Sequence, residues 1–358
     1  MSYLYGASKV RGALHEKRGV PCEDACGGWS DERGETFVIV VADGHGDPTC
    51  VRSAAGARIA VDVAMGQLQK LAALVPTRRD EIAPKSSLMR RLASNIADGW
   101  RSRVLADLRE NPLDPDEGEG LDWQKLQAAA QEHPTLLYGT TLVAALVTSG
   151  LCVFVQQGDG CCGLIAADGK IWHPVPDDEL CVGNLTTSLS DDDAADRMRI
   201  GVVKVGENSL LGCFVASDGV EKSYYSEEDL DGFFRYLATR FQGKGQEEIV
   251  SCLKKALREV SDFGSQDDAS VACVMNTAAS EATLASLQRL SERQRITSEL
   301  DEVRSKLVSM QRKHAILEEL WTQGREDEAK EYPAYHASWQ ALVQSEAELA
   351  EQLSALDL

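Results

Sequence analysis

Three features of the sequence predict an α+β fold with a separate helical tail. Short apolar runs broken by turns, most dense between residues 141 and 175, read as strands. Segments with apolar residues at steps of three and four, on either side of those runs, read as helices. Beyond Thr277 the strand signals stop and a seam of heptad type begins.

In chain order, the first strand signal is Val38–Ala42. A helix follows from about Val51 to Leu74, with Ala55, Ile59, Val63, Met65, Leu68 and Leu71 at helical spacing. Pro76 is expected to end it, because proline lacks an amide hydrogen and crowds the preceding turn. Ser87–Arg109 is a second helix, with Leu88, Leu92, Ile96, Trp100, Val104 and Leu108 on one face. Asn111–Gly120 is an acidic loop rich in Pro and Gly, and Gln124–Glu132 is a short helical stretch. Leu142–Val147, Cys152–Val155, Cys162–Ala166 and Ile171–Val175 read as one β-meander. Pro174–Arg199 is polar, carries Asp191-Asp192-Asp193, and reads as a surface loop. A strand at Leu210–Ala216, a helical segment from Glu228 to Val260 and a last strand at Val271–Met275 complete the first part.

The tail carries Ile296, Leu300, Val303, Leu307, Met310, Leu317 and Trp321 along one seam, with His314 at its polar position. Gln323-Gly324 interrupts it. A second amphipathic stretch carries Tyr335, Trp339, Leu342, Leu349, Leu353 and Leu356. An antiparallel helical hairpin is the simplest arrangement. Dimerisation, or docking of a partner through residues 296–356, is the alternative. The chain thus divides into residues 1–276 and 277–358.

The 358 residues are 43% hydrophobic and 26% charged, which is ordinary globular material. A net charge of −20 argues against general binding to nucleic acid or to an anionic membrane. No apolar run is long enough for a membrane span, and the N-terminus lacks the basic start and apolar stretch of a signal peptide. The ten cysteines are scattered, mostly within apolar runs, and read as reduced thiols of a cytoplasmic protein.

Chemistry enters with the acidic turns that end the apolar runs: Asp43-Gly-His-Gly46, Gly158-Asp159-Gly160, Ser217-Asp218-Gly219 and Asp267-Asp268, with Glu23-Asp24 nearer the N-terminus. Singly, an Asp-Gly pair is hairpin punctuation. As a set brought to one edge of a sheet, the carboxylates would repel one another unless cations lay among them. Hard divalent ions take carboxylate oxygens. Two such ions can clamp a phosphoryl group and lower the pKa of a shared water. The sequence has no serine elbow and no cysteine–phosphate loop to supply a covalent nucleophile.

In the order Glu23-Asp24, Asp43-Gly-His-Gly, Gly139-Thr-Thr141, Gly158-Asp159-Gly, Ser217-Asp218-Gly and Asp267-Asp-Ala-Ser270, the chain resembles the metal-dependent protein phosphatases, the type 2C serine/threonine family, over residues 1–276. The stretch His15-Glu-Lys-Arg-Gly-Val-Pro-Cys-Glu-Asp24 resembles a prokaryotic branch of that family. The resemblance implies a four-layer α-β-β-α sandwich of two antiparallel sheets flanked by helices. It implies two Mg²⁺ or Mn²⁺ ions at one end, with a third, weaker site. Asp43 would bridge both ions and the Gly44 carbonyl would bind one. Asp218 and Asp267 would hold the other, Glu23 and Asp24 would act through waters, and Asp159 would serve the third. His45 would be the general acid for the leaving oxygen.

The sequence departs from the family pattern at three places. Asp47 follows Gly46. Gly19 stands where the family's phosphate-binding arginine lies, leaving Arg18 and His15 as candidates for that role. Asp268 replaces a common Asn and adds either a ligand or a charge. His133, His173, His314 and His336 have no metal-ligand spacing.

The expected function is metal-dependent hydrolysis of phosphoserine and phosphothreonine on proteins, with a phosphoprotein substrate and a cognate Ser/Thr kinase as partners. The alternatives are a non-catalytic sensor or scaffold that presents its helical tail to a partner, and a phosphatase for a small molecule.

Overall fold

The central strands are apolar on both faces, and both faces are buried. The computed structural model describes residues 3–118, 122–181, 185–206 and 209–356. The chain runs β1 (Tyr3–Val10), α1 (Ala13–Arg18), β2 (Ala25–Ser30), β3 (Thr36–Ala42), α2 (Ser53–Arg78), α3 (Ser87–Glu110), α4 (Trp123–Glu132), β4 (Leu142–Thr148), β5 (Leu151–Gln157), β6 (Cys161–Ala166) and β7 (Ile171–Trp172). It continues through α5 (Ala194–Arg197), β8 (Arg199–Lys204), β9 (Leu210–Ala216), α6 (Asp218–Glu221), α7 (Glu227–Arg240), α8 (Gln246–Phe263), β10 (Ala269–Asn276), α9 (Glu281–Thr322) and α10 (Tyr332–Leu356).

The strands form two antiparallel sheets, ordered β1-β10-β9-β6-β7 and β2-β3-β4-β5-β8. Period-two alternation divides each central strand between two cores. Val38, Val40 and Ala42 of β3 pack with α2 and α3, while Phe37, Ile39 and Val41 pack with Cys213, Val215, Ala272 and Val274 of the opposite sheet. On the far side, Phe234 of α7 stacks on Phe214 of β9 with centroids 3.4 Å apart. The result is the expected four-layer sandwich. Each fully buried Val or Ile contributes about 1.5–3 kcal/mol, so strands sandwiched in this way concentrate the stability of the unit.

Four expectations are corrected. Pro76 does not end α2, which continues to Arg78; so near the helix end the missing N–H leaves only one carbonyl, a turn earlier, without its intrahelical bond. The meander is not one sheet: β5 pairs with β4 and β8, whereas β6 pairs with β7 and β9. The chain crosses between sheets at Gly158-Asp159-Gly160, where Gly158 takes φ 94°, a region open mainly to glycine. The fourth meander strand is only Ile171–Trp172. The segment from Glu228 to Val260 is two helices, α7 and α8, broken around Gly243 (φ 71°). In the acidic loop, Pro115–Gly118 forms a 3₁₀ turn; residues 119 and 120 lie outside the described residues, as do 182–184 of the long polar loop.

The chain forms two compact units, Met1–Thr283 and Leu284–Leu358. Within the second, α10 returns along α9 as a hairpin. Ile296, Leu300 and Leu349 form a buried cluster with Val303, Leu353 and Leu356, and Arg304 Nε meets Glu346 Oε1 at 2.9 Å. His314 is buried but satisfied: its Nε2 lies 2.8 Å from His336 Nδ1, and its ring stacks on Trp339. Among the described residues no helix is long and apolar enough to cross a membrane.

Candidate functional site

Strand register gathers the acidic turns at one end of the sandwich. Ala25 pairs with Ala42, so Asp24 and Asp43 flank the same end of the β2–β3 pair. Ser217 N–H donates to the Ser270 carbonyl and Ser270 N–H to the Ser217 hydroxyl, both at 3.0 Å. That tie sets Asp218, the first residue of α6, beside Asp267-Asp268. Gly219 is required there, since a Cβ would sit 1.9 Å from the Asp268 carbonyl oxygen. Asp159 arrives on the β5–β6 crossover.

Gly139-Thr140-Thr141 frames Asp43 and His45. Thr141 Oγ1 accepts the Asp43 N–H at 3.1 Å, and the Asp43 carbonyl accepts from Thr141 N–H and the Thr140 hydroxyl, both at 2.8 Å. Gly44 bridges to Thr140, and His45 N–H donates to the Gly139 carbonyl at 3.0 Å. The backbone of this turn is therefore held from both sides. Beside it opens a cleft of about 690 Å³ whose walls include His15, Arg18, Glu23, Asp43, Gly44, His45, Asp159, Asp218, Lys222 and Asp267.

The electrostatics centre on three carboxyls. Asp24 is 1% exposed, and neither of its carboxylate oxygens has a hydrogen-bond partner; Asp218 Oδ1 is likewise buried and unpartnered. Burial pushes Asp24 up to about 7, against the nearby hydroxyls of Ser270 and Ser217. Burial, and then the charges of Asp24 and Asp218, push Asp43 well above the usual carboxylate range. Burial also opposes ionisation of Asp218, but the Asp43 carboxyl and the Lys222 ammonium hold Asp218 below its ordinary value. Around the trio, Glu23 Oε1 accepts from the Ser53 hydroxyl at 2.6 Å and Asp159 Oδ1 from the Thr186 hydroxyl at 2.9 Å. Burial lowers the His45 imidazole below its ordinary value, while Asp159, Asp191, Asp218 and Asp47 pull it upward.

The structure resolves two of the departures. Asp47 is exposed and caps its own turn, its Oδ1 accepting from Thr49 N–H at 2.8 Å and from the Thr49 hydroxyl. Asp268 is a backbone anchor: Oδ1 accepts from Gly12 N–H and Oδ2 from Glu23 N–H, both at 2.6 Å. His15 Nδ1 lies 3.1 Å from Asp268 Oδ1, and its Nε2 lies 4.0 Å from Asp267. Arg18 is exposed at the cleft wall. Sequence reasoning missed Lys222, whose ammonium contacts Asp218 Oδ2 and lies 3.4 Å from Asp159 Oδ2. An i,i+4 Asp–Lys pair at a helix start was the available signal.

Among the described residues no group of three or more His, Cys, Asp or Glu side chains is spaced to hold a metal ion as it stands. The donor chemistry still fits a hard divalent cation. Three adjoining carboxyls, of which Asp24 and Asp218 carry buried oxygens without a partner, are costly to ionise without a cation, and oxygen-only donors are the set that Mg²⁺ and Mn²⁺ prefer.

The model of the family described as Protein phosphatase 2C matches residues 11–260, more than half of the chain. The chain belongs to the protein phosphatase 2C family. No curated protein matches it. Among solved structures, this 2C-family chain is similar to a C. elegans sex-determining protein, with 14% identity, a TM-score of 0.50, and coverage of 81% of this chain and 68% of that one. It is also similar to the catalytic domain of the serine/threonine phosphatase PstP, solved with two manganese ions (18% identity, TM-score 0.45, 76% and 97% covered). A third is the serine/threonine phosphatase Stp1 from Staphylococcus aureus (15%, 0.46, 77% and 96%). At these identities the likeness is one of fold.

Proposed function

We propose that this 2C-family chain hydrolyses phosphoserine and phosphothreonine on proteins, using two Mg²⁺ or Mn²⁺ ions at the acidic end of its sandwich. The observation that carries the proposal is the Asp24–Asp43–Asp218 trio, in which buried oxygens of Asp24 and Asp218 have no hydrogen-bond partner. Asp43 would serve both ions, the Gly44 carbonyl one of them, and Asp218 with Asp267 the other; Glu23 and Asp24 would act through waters. When bound, the ions supply Lewis acidity that lowers the pKa of water and neutralises phosphoryl charge. The protein's own part is positioning. Thr140 and Thr141 fix Asp43, and the Gly139 carbonyl holds His45 at the cleft, where the imidazole can pass a proton to the departing serine or threonine oxygen. His15 and Arg18 stand on α1 as the groups for the phosphate oxygens.

The test is phosphate release from a phosphothreonine peptide by the purified chain with Mn²⁺. Release should stop on adding EDTA and return with excess Mn²⁺. Activity that survives chelation would sink the proposal, and preference for sugar phosphates over peptides would move it to small molecules.

The scaffold alternative is favoured by one observation, the Lys222 ammonium already lying against Asp218 and Asp159. Calorimetric titration with Mn²⁺ separates the two, since a scaffold without a metal centre takes up no ion. We also place the protein in the cytoplasm, where its ten free thiols would stay reduced.

For the tail, we propose that residues 296–356 dock a partner protein, for example the opposing kinase. The hairpin seam is closed on itself by Ile296, Leu300 and Leu349, so light scattering is expected to give monomer mass for both the full chain and a chain cut after Thr283, with turnover retained. A doubled mass lost on truncation would assign the tail to dimerisation instead.

A further inference from the structure

Among the described residues, Lys222 is the cationic group whose ammonium contacts two of the acidic turns at once. Its ammonium contacts Asp218 Oδ2 and lies 3.4 Å from Asp159 Oδ2. The remaining oxygen of Asp159 accepts from the Thr186 hydroxyl at 2.9 Å, so both oxygens of that carboxylate are engaged by the protein itself. Asp218 divides its oxygens differently. Oδ2 faces Lys222, while Oδ1 is buried with no partner. One oxygen is thus committed to an internal cation, and the other remains a free donor beside Asp43 and Asp24. The geometry of the backbone fixes this division. Lys222 lies one helical turn after Asp218, its N–H donating to the Asp218 carbonyl at 2.7 Å. Its side chain reaches back over its own turn to the crossover that bears Asp159, which Gly158 brings to the same end of the sandwich.

An ammonium and a divalent ion compete for the same carboxylate oxygens. A lysine tethered one helical turn away is held at high effective concentration beside those oxygens, so a weakly held ion must compete with it. We propose that the Lys222 ammonium permanently fills the cation position between Asp159 and Asp218, so that the centre takes two divalent ions and no third ion at Asp159. This rests on the metal-dependent function proposed above, and makes Lys222 a positioning residue that orients Asp218 Oδ1 toward the ion pair.

The experiment is a count of bound Mn²⁺ on the full chain by calorimetry and by elemental analysis after gel filtration. Wild type and Lys222→Arg are expected to take two ions. Lys222→Met, which keeps the length and apolar stem but removes the charge, is expected to take three. Asp159→Asn, on the wild-type background, is expected still to take two. Circular dichroism melts check that each variant is folded, and Asp159→Asn gives a second, independent arm if Lys222→Met is not. A third ion on wild type, an unchanged count of two in folded Lys222→Met, or loss of an ion in Asp159→Asn would overturn the inference while leaving the phosphatase proposal standing. A count of zero on wild type would overturn both.

Discussion

Asp43→Asn is expected to lower phosphopeptide turnover on the order of 10³-fold, equivalent to several kcal/mol of lost transition-state stabilisation, while leaving the metal-free protein as stable as wild type. The two halves of this expectation come from the same geometry. Burial and the charges of Asp24 and Asp218 push the Asp43 carboxyl well above its usual range, which favours the neutral acid over the carboxylate at this position. An amide is close to that neutral acid in size and polarity. The backbone clamp does not depend on the side chain, because Thr140 and Thr141 bind the Asp43 N–H and carbonyl. An amide cannot supply the charge that a bridging ligand must bring to two divalent ions. Thermal melts with and without Mn²⁺ read both halves. Ligand bound at one hundred times its dissociation constant stabilises by about 2.7 kcal/mol, and this Mn²⁺-induced rise in melting temperature should vanish in the variant. A variant that keeps both turnover and the rise would remove Asp43 from the centre.

The residues that ended apolar runs were legible in the sequence because a carboxylate there interrupts a clear pattern. Asp43, Asp159 and Asp218 all belong to this kind, and all come to one end of the sandwich. Strands with a continuous apolar run, such as β4, β5 and β9, were legible for the same reason. Two kinds of information were not. Run length does not say which sheet a strand joins, so β5 and β6 read as neighbours although the chain crosses sheets at Gly158. β1 and β2 were missed because glycine, alanine and serine dilute their β signal where other elements approach closely. The roles of Asp268 and Lys222 depend on partners far along the chain: Asp268 binds Gly12, 256 positions away, and Lys222 meets Asp159, 63 positions away. Neither partnership leaves a periodic trace. The extra charge of Asp268 was visible, but its use as an anchor could be seen only once β1, α1 and β10 were assembled.

Asp268→Ala is expected to destabilise the first unit by about 3–5 kcal/mol, the cost of removing one side of a buried charge-assisted network. Asp268 is 2% exposed. Its two oxygens accept from Gly12 N–H and Glu23 N–H at 2.6 Å, so alanine would leave two backbone donors without acceptors. Those donors sit on either side of α1: Gly12 caps its start, and Glu23 follows the turn after it. The same carboxylate also faces His15 at 3.1 Å. Losing it should therefore loosen α1 together with His15, Arg18 and Glu23, and the surviving activity should show a raised KM for phosphopeptide. Asp268→Asn keeps one acceptor and should lose about half as much stability, because its amide would set a donor against a backbone donor. Urea unfolding monitored by circular dichroism is the measurement, with the midpoint falling and the slope unchanged if the native fold is retained. The contrast with Asp43 decides what each carboxylate is for. The Asp43 substitution should remove the Mn²⁺ response and spare metal-free stability, whereas the Asp268 substitution should lower metal-free stability and spare the Mn²⁺ count. If Asp268→Ala instead lost bound Mn²⁺ with no fall in the urea midpoint, Asp268 would be a ligand and not an anchor.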